Sequence, residues 1–288
     1  MTTSRTHSID VAGCSLHFSV RGHGDPILFI QGTGVHGAGW KPQADEFAAQ
    51  HACIQFDNRG MGMSQPRGAK LTIERMARDG LAVLAAAGFP AANVVGHSLG
   101  GLVALELALL EPARLKSLAL LCTFADGRAC ARGASLFWTG FRSRVGTARM
   151  RRDAFLELIL TPEYLRTADH EQLARELAPL FGHPLESQPA IVLPQIAAMR
   201  HCDLSARLAE LASIPTLVLS AARDRIAPPA LGHALAAGIP GARYVELADV
   251  GHAAPISHAA LVNAHLREHF SRVALSITRP TPSEGART

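Results

Sequence analysis

Short apolar runs recur along the chain at residues 26–30, 52–56, 93–95, 117–122, 215–220 and 243–247. Continuous apolar runs without polar alternation are the mark of strands buried on both faces. Residues 8–20 instead alternate apolar and polar side chains around Gly13, the pattern of a β-hairpin turning at that glycine. Between the runs, apolar positions fall at helical spacing, most clearly over residues 73–87, 99–110 and 259–270. Strands alternating with helices predict an α/β architecture, a mostly parallel central sheet with helices on both faces.

The alternation breaks after Cys122. From there to Ala206 the chain shows helical periodicity, turn-forming Thr161-Pro162 and Gly182-His183-Pro184, and no strand pattern. Strand character resumes at Ile214, so this stretch predicts a helical cap inserted into one domain. The expected organisation is a core over residues 1–122 and 206–275, a cap over 123–205, and a flexible tail over 276–288, where Pro280, Pro282, Ser283 and Gly285 cluster.

At 288 residues and 48% hydrophobic content, the chain can bury a large core and an inserted subdomain. A net charge of +4 is modest for that length, and no basic helix carries interleaved aromatics, so nucleic-acid binding is not supported. The sequence has no apolar run of about eighteen residues or more, and its first residues lack the pattern of a secretory signal. No membrane association and a cytoplasmic location are therefore expected. Cys14, Cys53, Cys122, Cys130 and Cys202 are far apart and form no Cys-x-x-Cys, which suits reduced packing thiols better than disulfides or a zinc site. No metal and no cofactor is expected, and the oligomeric state is left open.

The segment Asn93-Val94-Val95-Gly96-His97-Ser98-Leu99-Gly100-Gly101 reads as a strand, a very tight turn and an apolar helix. A serine at the apex of such a turn is held above the sheet, beside backbone amides that can stabilise an oxyanion. Its partners should lie on loops after later strands. Asp224 follows the run at 215–220, and His252 follows the run at 243–247 in Ala248-Asp249-Val250-Gly251-His252. Ser98, Asp224 and His252 thus occur in the order nucleophile, acid, base. Asp224 lies between Arg223 and Arg225 and could instead form a surface ion pair, in which case Asp126, one strand earlier, is the rival acid. Asp249 is too near His252 in the same loop and suits a turn-shaping role. A competing motif, Gly32-Thr33-Gly34-Val35-His36-Gly37, fits the dinucleotide-binding pattern, but Pro42 leaves no room for a helix to open within the glycines.

Taken together, Gly96-His97-Ser98-Leu99-Gly100-Gly101, the loop Asp57-Asn58-Arg59-Gly60-Met61-Gly62-Met63-Ser64, Asp224 and Gly251-His252 resemble the α/β-hydrolase fold family over most of the chain. The resemblance implies Ser98 as nucleophile, His252 as general base and then acid, and Asp224 as the group holding the imidazole. It implies an oxyanion hole from the backbone amides of Leu99 and Thr33, and structural turn roles for Asp57 and Arg59. In Gln31-Gly32-Thr33-Gly34, Gln31 departs from the family's usual His-Gly.

Gly32, Gly34 and His97 are expected to lie against substrate. Phe137, Trp138 and Phe141 share a helical side that either lines an acyl pocket or glues the cap to the core. Arg128, Arg132, Arg142, Arg144, Arg149, Arg151 and Arg152 either form a solvated face or place positive charge over the pocket mouth. The activity implied is cofactor-independent hydrolysis of a small-molecule carboxylic ester or lactone through an acyl-serine. Perhydrolase or haloperoxidase chemistry, carbon-carbon bond hydrolysis and a non-catalytic small-molecule receptor are alternatives on the same fold.

Overall fold

The computed structural model describes residues 4–66, 70–130 and 134–278. β1 (Ser4–Val11) and β2 (Cys14–Arg21) form an antiparallel hairpin with Val11 opposite Cys14, and Gly13 takes the left-handed φ of 75° that the two-residue turn requires. β3 (Asp25–Ile30) leads through a 3₁₀ turn at Gly37–Trp40 into α1 (Lys41–Phe47). No helix opens inside the glycines there, and Gly37 donates its amide to Asp57 Oδ1 at 2.9 Å. The dinucleotide-like motif is thus a turn braced by a carboxylate.

β4 (His51–Phe56), β5 (Gln65–Pro66), α2 (Ile73–Ala86), β6 (Ala92–His97), α3 (Leu99–Leu110) and β7 (Leu115–Leu121) complete the first part of the sheet. α4 (Ala134–Arg142), α5 (Ala148–Ile159), α6 (Pro162–Arg166), α7 (His170–Phe181) and α8 (Val192–Arg200) follow as a helical insertion. The sheet then resumes with β8 (Thr216–Ala221), α9 (Pro229–Gly238), β9 (Arg243–Leu247), α10 (Ala254–Ser257) and α11 (Ala259–Thr278).

The strands lie in the order β1-β2-β4-β3-β6-β7-β8-β9, with β5 on β2. β2 runs antiparallel to β1 and β4, whereas every pairing from β4 through β9 is parallel. The chain therefore has the α/β fold its apolar runs predict. Alternate residues of each strand feed opposite faces. Leu28, Ile30, Val94 and Leu118 pack with Met76, Val83, Leu102 and Leu105 of α2 and α3. Ile27, Phe29, Val95, Ala119 and Leu219 pack with Phe47 of α1 and Val262, Leu266 and Phe270 of α11. Apart from Glu106, α3 is apolar on every side, because both its sheet side and its outer side are covered.

The insertion has a smaller apolar cluster of its own, built from Leu156, Ile159, Leu165, Leu173, Leu177 and Phe181, and Val35 and Ala253 of the sheet domain join it. α11 continues to Thr278, past the expected start of the tail at Ser276, because the apolar spacing runs on through the buried Val273. The remainder of the expected tail, from residue 279, lies outside the described residues. Among the described residues no helix is long and apolar enough to cross a membrane.

Candidate active site

Ser98 stands between β6 and α3 with φ 55° and ψ −121°, a left-handed conformation that side chains other than glycine seldom adopt. Its backbone is pinned on both sides. Ser98 N–H donates to Leu121 O at 3.0 Å, and Thr123 Oγ1 donates to Ser98 O at 2.7 Å. The turn is possible only because its flanks are bare: a Cβ on Gly96 would lie 2.3 Å from Gly100 O, and one on Gly100 would lie 2.1 Å from Ile30 O. Strand β3, the turn and α3 are therefore in backbone contact.

The loop after β8 carries Asp224, which is 4% exposed. Its Oδ1 accepts the amides of Ile226 and Ala227 at 2.8 and 2.9 Å, and its Oδ2 accepts His252 Nδ1–H at 2.7 Å. The carboxylate is thus aimed by its own loop, leaving one oxygen for the imidazole. Arg223 pairs with Asp249 at 3.5 Å, not with Asp224. Asp126, the rival acid, is bound to Arg128 at 3.0 Å on an exposed contact. Asp249 takes φ 55° and is exposed, consistent with shaping its turn.

His252 is also held from behind. His97 Nε2–H donates to His252 O at 2.9 Å, and the two rings lie 4.9 Å apart. Burial, together with the neighbouring His252, pushes His97 down to about 3, so the ring is neutral and suited to that single donor role. Beneath Asp224, burial and the adjacent carboxylate push the Cys122 thiol well up, which keeps it protonated.

Ser98 and His252 open into one cavity of about 460 Å³ lined also by Gly32, Thr33 and His97. Gln31 explains how the glycine loop holds without the family's histidine: its Oε1 accepts Gly32 N–H at 2.8 Å, and its carbonyl accepts Asn58 Nδ2–H at 2.8 Å. Gly34 N–H is taken by Gln195 Oε1 at 2.9 Å. The Thr33 amide between them, and the Leu99 amide at the start of α3, have no acceptor among the described residues. Two such donors on a cavity shared with a serine hydroxyl and a carboxylate-oriented imidazole form an arrangement that can support acyl transfer.

The other residues singled out in the sequence divide. Phe141 lines the cavity, together with Phe155, Phe181, Ile196 and Ile256. Trp138 does not: it is 58% exposed and stacks on Phe141 at 5.6 Å, turned away from the cavity. Gly34 also lies behind the wall, with its amide committed to Gln195. The side chain of Phe137 lies outside the described residues. Arg59, 2% exposed, forms a buried bidentate pair with Asp79, its Nε 2.7 Å from Oδ2, and so is structural. Gln195, the place of Arg200 on the cavity wall and the bracing role of His97 were not visible in the sequence, since each depends on the packing of distant segments and carries no local pattern.

The family model described as the α/β hydrolase fold matches residues 25–259. "Putative carbamate hydrolase RutD" of Azorhizobium caulinodans is 34% identical over 235 residues, covering 81% of this chain and 86% of that protein. "Putative non-heme bromoperoxidase BpoC" of Mycobacterium tuberculosis is 29% identical over 265 residues, covering 90% and 98%. The crystal structure of the enol-lactonase from Burkholderia xenovorans LB400 superposes with a TM-score of 0.79 at 26% identity, covering 92% of this chain and all of that one. With the strand order, the strained serine turn and a family match spanning most of its length, this chain belongs to the α/β hydrolase fold family.

Proposed function

We propose that the protein hydrolyses a carboxylic ester or lactone through an acyl-enzyme on Ser98, with α4–α8 acting as the cap over the pocket. The observation that carries this reading is the arrangement of Ser98 and His252 on one cavity, with His252 Nδ1 bonded to Asp224 at 2.7 Å. With Nδ1 committed to the carboxylate, Nε2 is the nitrogen that accepts the Ser98 proton as Oγ attacks the carbonyl carbon. The carbonyl oxygen gains charge and is received by the Thr33 and Leu99 amides. Collapse breaks the bond to the leaving oxygen, which takes the proton back from His252. Water then repeats the sequence, releasing the acid and restoring Ser98.

A fluorophosphonate probe tests this directly. One adduct at Ser98 and loss of esterase turnover in Ser98→Ala are expected. Wild-type turnover in that variant would refute the assignment. The 34% identity to a protein named as a carbamate hydrolase supports a second reading, in which the same residues open a carbamate. Parallel assays of an ester, a lactone and a carbamate sharing one acyl group separate the two. Bromination of monochlorodimedone with peroxide tests the chemistry named for the bromoperoxidase relative.

A further inference from the structure

The arginines of the insertion fall into two groups. Most are neutralised locally: Arg142 by Glu157 at 3.3 Å, Arg152 by Asp153 at 2.9 Å, and Arg175 by Glu171 at 2.6 Å. Arg151 is spent on the backbone oxygens of Glu186 and Gly146. Arg144 and Arg200 differ, for both stand on the wall of the cavity that holds Ser98, and neither has an acidic partner among the described residues. Arg144 follows the end of α4, and Arg200 occupies the last turn of α8, so two separate helices bring positive charge to one mouth. Among the described residues, no aspartate or glutamate lines the cavity. Partial desolvation holds the Arg144 guanidinium below its usual range, and arginine keeps its charge in such a setting.

Much of the rest of the wall is apolar, with Phe155, Leu158, Ile159, Phe181 and Leu193 among the residues that line it. An uncharged chain would gain from these side chains and leave the two guanidiniums facing only water. A substrate with an apolar middle and a carboxylate at its far end would satisfy both, because guanidinium donors match carboxylate oxygens in number and plane. Resting on the hydrolase reading of Ser98, we propose that the substrate is the monoester or lactone of a dicarboxylic acid, with its free carboxylate received by Arg144 and Arg200. Hydrolysis breaks the bond between the acyl carbon and the leaving oxygen. Water supplies the hydroxyl to the acyl carbon and the proton to the alcohol, and the distal carboxylate is unchanged.

The test compares the 4-nitrophenyl monoester of adipic acid with the same ester carrying its free carboxyl as a methyl ester. Wild type is expected to favour the acid in kcat/KM by about tenfold or more, with the gain in KM and a steep loss of preference as salt is raised. In Arg144→Gln/Arg200→Gln the acid-to-neutral ratio should fall toward one; both side chains reach solvent, so the substitutions disturb no buried packing. Equal or better turnover of the neutral ester by wild type overturns the proposal, as does an unchanged ratio in the double variant.

A binding arm keeps this separate from the hydrolase reading. Ser98→Ala is titrated calorimetrically with both esters. If it prefers the acid while wild type neither cleaves either ester nor takes a fluorophosphonate, hydrolysis falls and the guanidinium site stands. If wild type is labelled and cleaves both esters equally, and Ser98→Ala binds them equally, the guanidinium site falls and hydrolysis stands.

Discussion

Gln195 accepts the amide of Gly34 at 2.9 Å across 161 residues of chain, tying helix α8 of the insertion to the glycine loop that carries Thr33. Gln195 is fully buried, and its Nε2 has no partner among the described residues, so an uncompensated amide donor is tolerated there to keep the one bond to the loop. The position of the Thr33 amide is thereby coupled to the seating of the helices above it.

Replacing Gln195 by leucine should expose that coupling. Gly34 N–H would be left buried without an acceptor, a loss on the order of 1–3 kcal/mol partly offset by removing the unpaired Nε2. Turnover should fall through kcat, because the donor that shifts is one proposed to act on the transition state. Steady-state kinetics beside thermal denaturation check this; a fall in Tm with kcat intact would show the bond to be structural only.

Asp224→Asn should fold normally and lose activity. The side-chain oxygen can still accept the Ile226 and Ala227 amides, but the NH₂ facing His252 Nδ1 would force the proton onto Nε2, the nitrogen that must be free to receive one. A drop in kcat of about 10⁴ is expected, the order seen when the serine-protease aspartate is changed in this way. Circular dichroism confirms the fold, and active-site titration with a fluorophosphonate should slow in parallel.

The serine turn should reject the smallest possible addition. Gly100→Ala places a Cβ 2.1 Å from Ile30 O, a backbone atom of a central strand that cannot swing aside. The cost should exceed the ~1–3 kcal/mol usual for overpacking, because backbone rather than side chain must give way. Yield of soluble protein and Tm measure it. Gly140→Ala in α4, where nothing lies within 4 Å and the backbone is not left-handed, is the control for steric clash.

Stability should depend on two buried imidazoles. Burial, with His252 nearby, holds His97 down to about 3, and burial, with Arg243 nearby, holds His269 down to about 4. Each takes up a proton near 6.5 once unfolded, so the unfolded state binds more protons below that pH and the fold weakens as pH falls from 6.5 toward 4. Above 6.5 both states are neutral and neither ring contributes. The slope is about 1.4 kcal/mol per pH unit for each ring. His269→Phe, which also removes a buried Nε2 lacking a partner among the described residues, should lower the slope by about one ring's share. Urea denaturation at pH 7, 6 and 5 reads it.

Most of the sheet could be read from the chain because parallel strands buried on both faces leave uninterrupted apolar runs, as β3 and β8 do. The serine turn was equally legible, since only glycine permits the approach of Gly100 to Ile30 O, and glycine stands there. Asp224 was harder to assign, because the flanking arginines suggest a surface, and only the fold shows Arg223 turning to Asp249. The wall of the cavity was least legible. Helical spacing groups Trp138 with Phe141 but does not say which of them faces inward, and the two stack with Trp138 outermost. Arg144 was one arginine among many until the acidic partners of its neighbours were located.

Helix α8 presents different side chains to the sheet domain and to the cavity: Ala198 and Met199 join the main core, and its earlier turns reach the chamber. Val192, Leu193 and Ile196 line the cavity from α8, yet α8 pairs with no strand of the sheet. Substitutions there can reshape the chamber while strand register and the setting of Ser98 stay as they are. Within α8, the three side chains that shape the chamber are thereby separable from Gln195, the residue of that helix hydrogen-bonded to the glycine loop.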